Sequence, residues 1–355
     1  MKEFWSDRIK GLTPYTPGEQ PKNRTFIKLN TNENPYPPSP MAVKAIGEAA
    51  GESLRLYPAP EAGELVQDLA DSYGLSKEEV FVGNGSDEVL AFAFEAFFSA
   101  GSTIVYPDIT YSFYPVYANL FGINSRTIPL KGDFTVDVEA FLGGNDGVVL
   151  ANPNAPTGIE LDQGSIRRIL EANPYVVVIV DEAYVDFGGV SALPLIREYP
   201  NLLVVQTTSK SRALAGLRVG FAFGHSNLIA GLNCVKNSFN SYTMDRLAIQ
   251  GAAAAVRDGD YFTAQCEKVV RTREWTVSQL KDIGFTVLPS KANFIFASHP
   301  EVPAKELFAG LRAEGSLVRY FSQPRIDNFL RISIGTDQDM AALVAAMKKL
   351  TSQKE

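Results

Sequence analysis

Cysteine and histidine are nearly missing from this chain, with two of each in 355 residues. Cys234 and Cys266 form no recognisable disulfide framework and read as reduced thiols of a cytosolic protein. His225 and His299 stand far apart, with no H-E-x-x-H pairing, so no histidine metal centre is expected. The opening Met1-Lys2-Glu3-Phe4-Trp5-Ser6-Asp7-Arg8 lacks the apolar core of a signal peptide. No apolar run approaches the roughly 20 residues that span a bilayer. A basic excess is lacking too: 33 basic against 40 acidic side chains leave a net charge of −7, which argues against a nucleic-acid surface. Any phosphate site must therefore be local. No G-x-S-x-G elbow is present. A soluble, cytoplasmic protein is the expectation.

What remains is an ordinary globular composition, 45 % hydrophobic and 21 % charged. The length points to two domains, because single cores stop growing at roughly 250–300 residues. The first forty residues carry Asn30-Thr31-Asn32-Glu33-Asn34-Pro35-Tyr36-Pro37-Pro38 and show no helical period. Recurrent aromatics (Phe4, Trp5, Tyr15, Phe26, Tyr36) favour an ordered arm over a floppy tail. From residue 41 helices and strands alternate. Helices are expected at Met41–Ala50, Glu61–Tyr73 and Ser86–Phe98, and strands at Thr103–Tyr106, Gly147–Ala151, Tyr175–Val180, Leu202–Thr207 and Gly220–Phe223. That order predicts an α/β fold with a mainly parallel sheet between helices. A long helix, roughly Asp245 to Ile283, then leads to a smaller α+β unit with strands at Asn293–Ala297, Leu317–Phe321 and Phe329–Ile334. The divisions read as an arm over 1–40, a large domain over 41–245 and a helix plus small domain over 246–355.

Two apolar runs end in ionisable groups: Tyr175–Asp181 in a carboxylate and Leu202–Lys210 in an amine. Buried parallel strands read this way when they deliver functional side chains at their carboxyl ends. An amine and a carboxylate presented together suggest an imine-forming lysine and a partner for a pyridinium nitrogen. The lesser alternative for Asp181 is a strand-end carboxylate capping a helix. Tyr184 lies three residues beyond it, where a phenol can tune such a cofactor. Gly83-Asn84-Gly85-Ser86-Asp87-Glu88 opens an apolar helix, and its amides suit an anion. An ordinary capped helix explains the segment as well. If phosphate binds there, the acidic side chains must turn away. Ser209 and Arg218 flank the lysine and can grip a phosphate. Tyr111 either stacks on a flat ring or packs in a core. Arg331, alone on the polar face of Leu330–Ile334, pairs either with a protein carboxylate or with an anionic substrate; Arg319 can join it.

Taken in order, Gly85–Glu88, Asn152-Pro153-Asn154-Ala155-Pro156-Thr157-Gly158, Asp181–Tyr184, Ser209-Lys210 and Gly216-Leu217-Arg218 resemble the fold-type-I pyridoxal-phosphate enzymes, specifically the aspartate-aminotransferase-like group. The resemblance covers nearly the whole chain. It implies a mainly parallel seven-stranded sheet, pyridoxal 5'-phosphate as cofactor and a homodimer. It makes Lys210 the imine lysine and proton shuttle, Asp181 the partner of the ring nitrogen, Tyr184 that of the ring hydroxyl oxygen, and Tyr111 the stacking ring. The amides of Ser86 and Asp87, with Ser209 and Arg218, would hold the phosphate. One departure stands out: the group usually has asparagine where this chain has Ala155. Asn154 is the candidate replacement, with Asn152 a second.

Within the group the chain is similar to the histidinol-phosphate aminotransferases, through Leu12–Gly18, Leu29–Pro35, Leu56-Tyr57-Pro58, Val318–Phe321 and Leu330–Thr336. By that similarity Tyr57 reaches a partner subunit's cofactor phosphate, Tyr15, Arg319 and Arg331 receive the substrate phosphate, and Asn32 and Asn240 line the pocket. The implied reaction converts L-histidinol phosphate and 2-oxoglutarate to imidazole-acetol phosphate and glutamate. The rival readings are an aromatic amino-acid aminotransferase, a lyase like threonine-phosphate decarboxylase, and a non-catalytic cofactor-binding protein.

Overall fold

The structure, a computed structural model, describes residues 4–16, 18–19 and 26–352. Met1–Glu3 of the opening segment and Pro17 of the Leu12–Gly18 motif lie outside the described residues.

Seven strands form the large sheet: β1 (Val80–Gly83), β2 (Thr103–Pro107), β3 (Asn124–Ile128), β4 (Gly147–Ala151), β5 (Val178–Asp181), β6 (Leu202–Thr207) and β7 (Gly220–Gly224). They lie in the order β1-β7-β6-β5-β4-β2-β3. All pairings are parallel except those of β7, which runs against both neighbours, β1 and β6. On the central strands neighbouring side chains go to opposite apolar layers, whereas the edge strand β3 is polar and largely exposed. Val178 and Val180 join the core that holds Leu69, Ile166 and Ile249. Ile179 joins the one that holds Val89, Phe94 and Ile229. Burial on both faces explains why these strands read as unbroken apolar runs.

The small sheet contains β8 (Thr286–Val287), β9 (Phe294–Ser298), β10 (Arg319–Tyr320) and β11 (Leu330–Ser333), in the antiparallel order β10-β11-β9-β8. Its core takes in Val269 and Leu280 of one helix, Met340, Leu343 and Met347 of another, and Leu29 of the arm. The arm is tied there by Ile27–Lys28, which pairs with Ser316–Leu317, and by the Ser333 amide donating to the Leu29 carbonyl.

Strands β1 and β3 are not among the expected ones, and three expected elements differ by more than two residues or in their pairing. The long helix is two, Arg246–Arg257 and Gly259–Asp282. Asp258 leaves helical geometry between them, at φ −88° and ψ 64°, and its carboxylate accepts from Ser39. Asp and Gly in succession supply that break. Strand β5 begins at Val178 instead of Tyr175, because Asn173 and Asn201 hold residues 173–176 in a turn. The expected Leu317–Phe321 strand is divided between two sheets, Ser316–Leu317 pairing with the arm and Arg319–Tyr320 with β11. Among the described residues no helix is long and apolar enough to cross a membrane.

Candidate active site

A cavity of about 410 Å³ opens at the carboxyl edge of the large sheet. Short connections after β1, β2, β4, β5 and β6 bring Ser86, Tyr111, Ala155, Asp181 and Lys210 to it. Because β7 is antiparallel, it enters the sheet at this edge, and Arg218 just before it meets the other loops. Glycine is required at the entry: a Cβ on Gly220 would collide with the Gly85 and Ser86 backbone. Gly85 itself has φ +85°, which only glycine adopts freely, and it opens the Ser86–Phe97 helix. The first amides of that helix lack intrahelical partners and carry its positive end.

Asp181 is buried at the end of β5. Its Oδ2 accepts from the Tyr114 hydroxyl at 2.9 Å, whereas Oδ1 is buried with no partner. A buried carboxylate oxygen left unsatisfied is costly unless a donor comes from a ligand. A pyridinium N–H is such a donor, so the residues fit pyridoxal phosphate. Burial pushes the Asp181 carboxyl up to about 6, against the Tyr114 hydroxyl and the Ala183 amide, which favour its charged form.

Lys210 Nζ donates to the Thr31 carbonyl at 3.3 Å and lies 5.7 Å from the Tyr184 ring centre. Its backbone is strapped by the arm, since Asn34 Nδ2 donates to the Lys210 and Ser211 carbonyls. The Tyr184 hydroxyl accepts from Asn32 Nδ2 at 3.0 Å. Ser209 Oγ lies 3.5 Å from the Arg218 guanidinium.

The acidic pair at the helix start divides. Glu88 turns back, accepting from the Asn84 amide and the Thr243 hydroxyl. Asp87 does not turn away: its carboxylate lies 3.0 Å from Arg218 and accepts from the Tyr111 hydroxyl at 2.8 Å. The unshared Arg218 guanidinium over Gly85 attracts it. Tyr111 therefore lines the cavity with its hydroxyl tethered, and burial beside Asp87 drives its phenol well above the usual range.

On the small-sheet side Arg319 and Arg331 are register partners on β10 and β11. No carboxylate pairs with either among the described residues. Arg331 donates to the Asn30 carbonyl at 3.0 Å, its Nε is buried without a partner, and burial lowers its hold on its proton. Both guanidiniums lie over the Phe321 ring, at 5.6 and 5.7 Å. Two adjacent cations with spare donors make a site for a doubly charged anion. Tyr15, stacked on Phe113 at 4.5 Å, joins the same cavity.

Four expected residues lie elsewhere. Asn154 is not on the cavity. It donates to the Ile109 carbonyl and to Thr157 Oγ1 while accepting from Thr110, so neither amide proton is free for a ring oxygen. Asn152 is likewise off the cavity, its carbonyl oxygen and one amide proton bonded to Leu161. Ala155 lines the wall itself. Asn240 ends the Ser226–Phe239 helix, exposed, and accepts from the Tyr242 amide. Tyr57 is 79 % exposed and stacks on Tyr242 at 4.7 Å. Sequence reading missed Tyr114, Asn30, Thr31 and Phe321. Asn30, Thr31 and Phe321 had a signal, their places in the Leu29–Pro35 and Val318–Phe321 motifs; Tyr114 had none.

A lysine and a half-satisfied carboxylate at one sheet edge, beside a helix start and an arginine, define a site for a phosphorylated pyridine aldehyde. Residues 24–347 match the aminotransferase class I and II family, and the chain belongs to that family. At the level of individual relatives, it is 56 % identical over 349 residues to the histidinol-phosphate aminotransferase of Clostridium acetobutylicum, covering 98 % of this chain and 99 % of that one. It is 55 % identical to the protein of the same name from a Marinomonas species, over 99 % and 100 % of the two chains. Among solved structures, histidinol-phosphate aminotransferase from Sinorhizobium meliloti in complex with pyridoxal 5'-phosphate superimposes with a TM-score of 0.89 at 25 % identity, covering 99 % and 98 %.

Proposed function

We propose that this enzyme transfers the amino group of L-histidinol phosphate to 2-oxoglutarate, yielding imidazole-acetol phosphate and glutamate in histidine biosynthesis. The observation that carries the substrate is the Arg319–Arg331 pair, two neighbouring guanidiniums with no protein carboxylate between them. Their charge suits the phosphate ester, which stands where relatives bind a carboxylate.

Bound pyridoxal 5'-phosphate supplies an aldehyde that links to amines and a protonated ring that withdraws electrons from the substrate carbon. The chain's residues do the rest. Asp181 Oδ1 would accept the ring N–H and keep that proton in place. The Ser86 and Asp87 amides, Ser209 and Arg218 would hold the phosphate, with the Asp87 carboxylate giving up its contact with Arg218. Tyr111 would cover the ring, and Tyr184 would donate to the ring hydroxyl oxygen. Lys210 Nζ would take up and hold the proton of the substrate carbon and return it in the course of the transfer. When that amine is free, the Thr31 carbonyl gives it a resting contact.

The same reading takes residues 1–40 as an arm, 41–245 as the cofactor domain and 246–355 as the remainder. It also takes the enzyme as a cytoplasmic homodimer. Support for the dimer comes from Tyr57, exposed and outside its own chain's cavity, as a residue serving a partner's phosphate would be.

A steady-state assay with histidinol phosphate and 2-oxoglutarate tests the function. Turnover that depends on both substrates is expected. Equal kcat/KM for phenylalanine would replace the reading with an aromatic aminotransferase. Carbon dioxide release without an oxo acid would replace it with a lyase.

A further inference from the structure

Ala155 leaves the cofactor's ring hydroxyl with one donor fewer than the family pattern provides; Asn154 has both amide protons engaged, and Asn152, bonded to Leu161, does not line the cavity. The arm supplies a different arrangement. Asn32 occupies the left-handed region at φ +56°, a conformation that asparagine tolerates better than most residues. Three bonds fix it there. Its amide donates to Ser333 Oγ at 2.8 Å, the Ser333 hydroxyl donates to its Oδ1 at 2.9 Å, and Asn293 Nδ2 donates to its carbonyl at 3.0 Å. The fourth bond, Nδ2 to the Tyr184 hydroxyl at 3.0 Å, leads to the cavity.

The directions of these bonds follow from counting protons. Ser333 Oγ accepts from the Asn32 amide, and among the described residues Asn32 Oδ1 is the one acceptor of its own proton. That contact orients the Asn32 side chain with Nδ2 toward Tyr184. The Tyr184 oxygen, already accepting, has its own proton left to give.

From this geometry we infer that Asn32 is a positioning residue, not a substrate contact. It turns the Tyr184 hydroxyl into an obligate donor to the cofactor's ring oxygen and thereby offsets the alanine at 155. The inference rests on the cofactor reading above. The other ionisable groups near the Tyr184 ring and hydroxyl are Lys210, Arg331 and Tyr111.

The test reads the visible absorption of the lysine-bound cofactor against pH, with no turnover. A donor to the ring oxygen weakens that oxygen's hold on the proton of the lysine–cofactor link, so losing the donor raises the pH at which the colour changes. Asn32→Gly keeps the left-handed backbone and removes the side chain. It should raise the midpoint by roughly one pH unit, the size of one lost hydrogen bond. Tyr184→Phe should raise it as much, and Asn32→Gly in the Tyr184→Phe background should add nothing. Ala155→Asn should bring the Asn32→Gly midpoint back toward wild type. If Asn32→Gly fails to fold, Asn32→Asp replaces it: the carboxylate draws the Tyr184 proton to itself, and the midpoint should rise again. An unmoved midpoint in the single variants overturns the inference, and so does a full shift that persists without the Tyr184 hydroxyl. Wild-type protein that never colours with added pyridoxal 5'-phosphate would instead overturn the cofactor reading.

Discussion

Asp181, Lys210 and Ser86 reach the cavity from the ends of strands, each within a few residues of the sheet that positions it. Asn32 and Arg331 get there differently. The contacts Asn32–Ser333 and Asn30–Arg331 each join residues 301 positions apart. One wall is thus built by local chain geometry on a doubly covered sheet, the other by closing the arm onto the small sheet. In the proposed mechanism the first wall would carry the covalent chemistry and the second the charge for the substrate. Each wall should therefore be separable by substitution.

Lys210→Ala breaks the sheet wall most severely. Turnover should fall by at least about a thousandfold if the residue serves as both covalent anchor and proton carrier, as proposed. The fold should survive, because among the described residues the amine's one hydrogen bond is to the Thr31 carbonyl. Single-turnover kinetics beside circular dichroism would show this. Ordinary turnover in the variant would leave the comparison without its first half.

Arg331→Lys acts on the other wall. A lysine cannot reproduce the forked donors, and a charge-assisted hydrogen bond is worth ~1.5–3 kcal/mol. KM for histidinol phosphate should rise roughly tenfold to a hundredfold, on that same scale. Cofactor affinity should stay as it was. A loss confined to the cofactor, with KM unchanged, would show that the two walls are not independent.

The contrast between walls also explains what the sequence disclosed. Strands β4 and β6 were legible to the residue because burial on both faces makes a continuous apolar run, and Asp181 and Lys210 were legible as the polar ends of such runs. Arg331 was visible as an oddity of alternation, but its freedom from any carboxylate depends on what packs nearby, which spacing does not encode. Tyr114 had no local signature at all; it becomes the Asp181 partner only because the helix at Tyr114–Phe121 lies against the end of β5. Asn154 misled for the same reason. Its neighbours Ile109, Thr110 and Thr157 absorb every polar group of its side chain, and two of them belong to a loop some 45 positions away.

Proton linkage at Asp181 gives a smaller effect. Its carboxyl titrates at about 6, above the ordinary aspartate value near ~3.9, because burial disfavours its charge. The sign follows: the cofactor-free protein gains stability from this group as pH falls through 6 and loses it as pH rises through 6. Binding a ring N–H needs the charged form, so cofactor affinity should weaken below pH 6, by up to about tenfold at pH 5. Asp181→Asn should bind weakly and lack this component. An identical pH slope in the variant would assign the effect to the cofactor's own phosphate and detach it from the sheet wall.

The smallest expected effect tests where the walls join. Arg325, at φ +72°, pairs with Asp108 at 3.1 Å and donates to the Leu130 and Lys131 carbonyls at 2.7 and 2.9 Å. Its loop also carries Phe321, Gln323 and Ile326 into the cavity, while the loop after Asp108 carries Ile109, Thr110 and Tyr111. A partly exposed ion pair contributes only ~0.2–1 kcal/mol, so Arg325→Ala should raise KM for histidinol phosphate a fewfold, roughly two to five. Alanine also pays for the left-handed backbone, which glycine does not. Arg325→Gly should therefore be the more stable of the two while showing the same KM, if the clasp and not the backbone sets the wall. A normal KM in Arg325→Gly with a raised one in Arg325→Ala would shift the effect to loop geometry, and weakened cofactor retention in either would mean that the arginine braces the sheet wall as well.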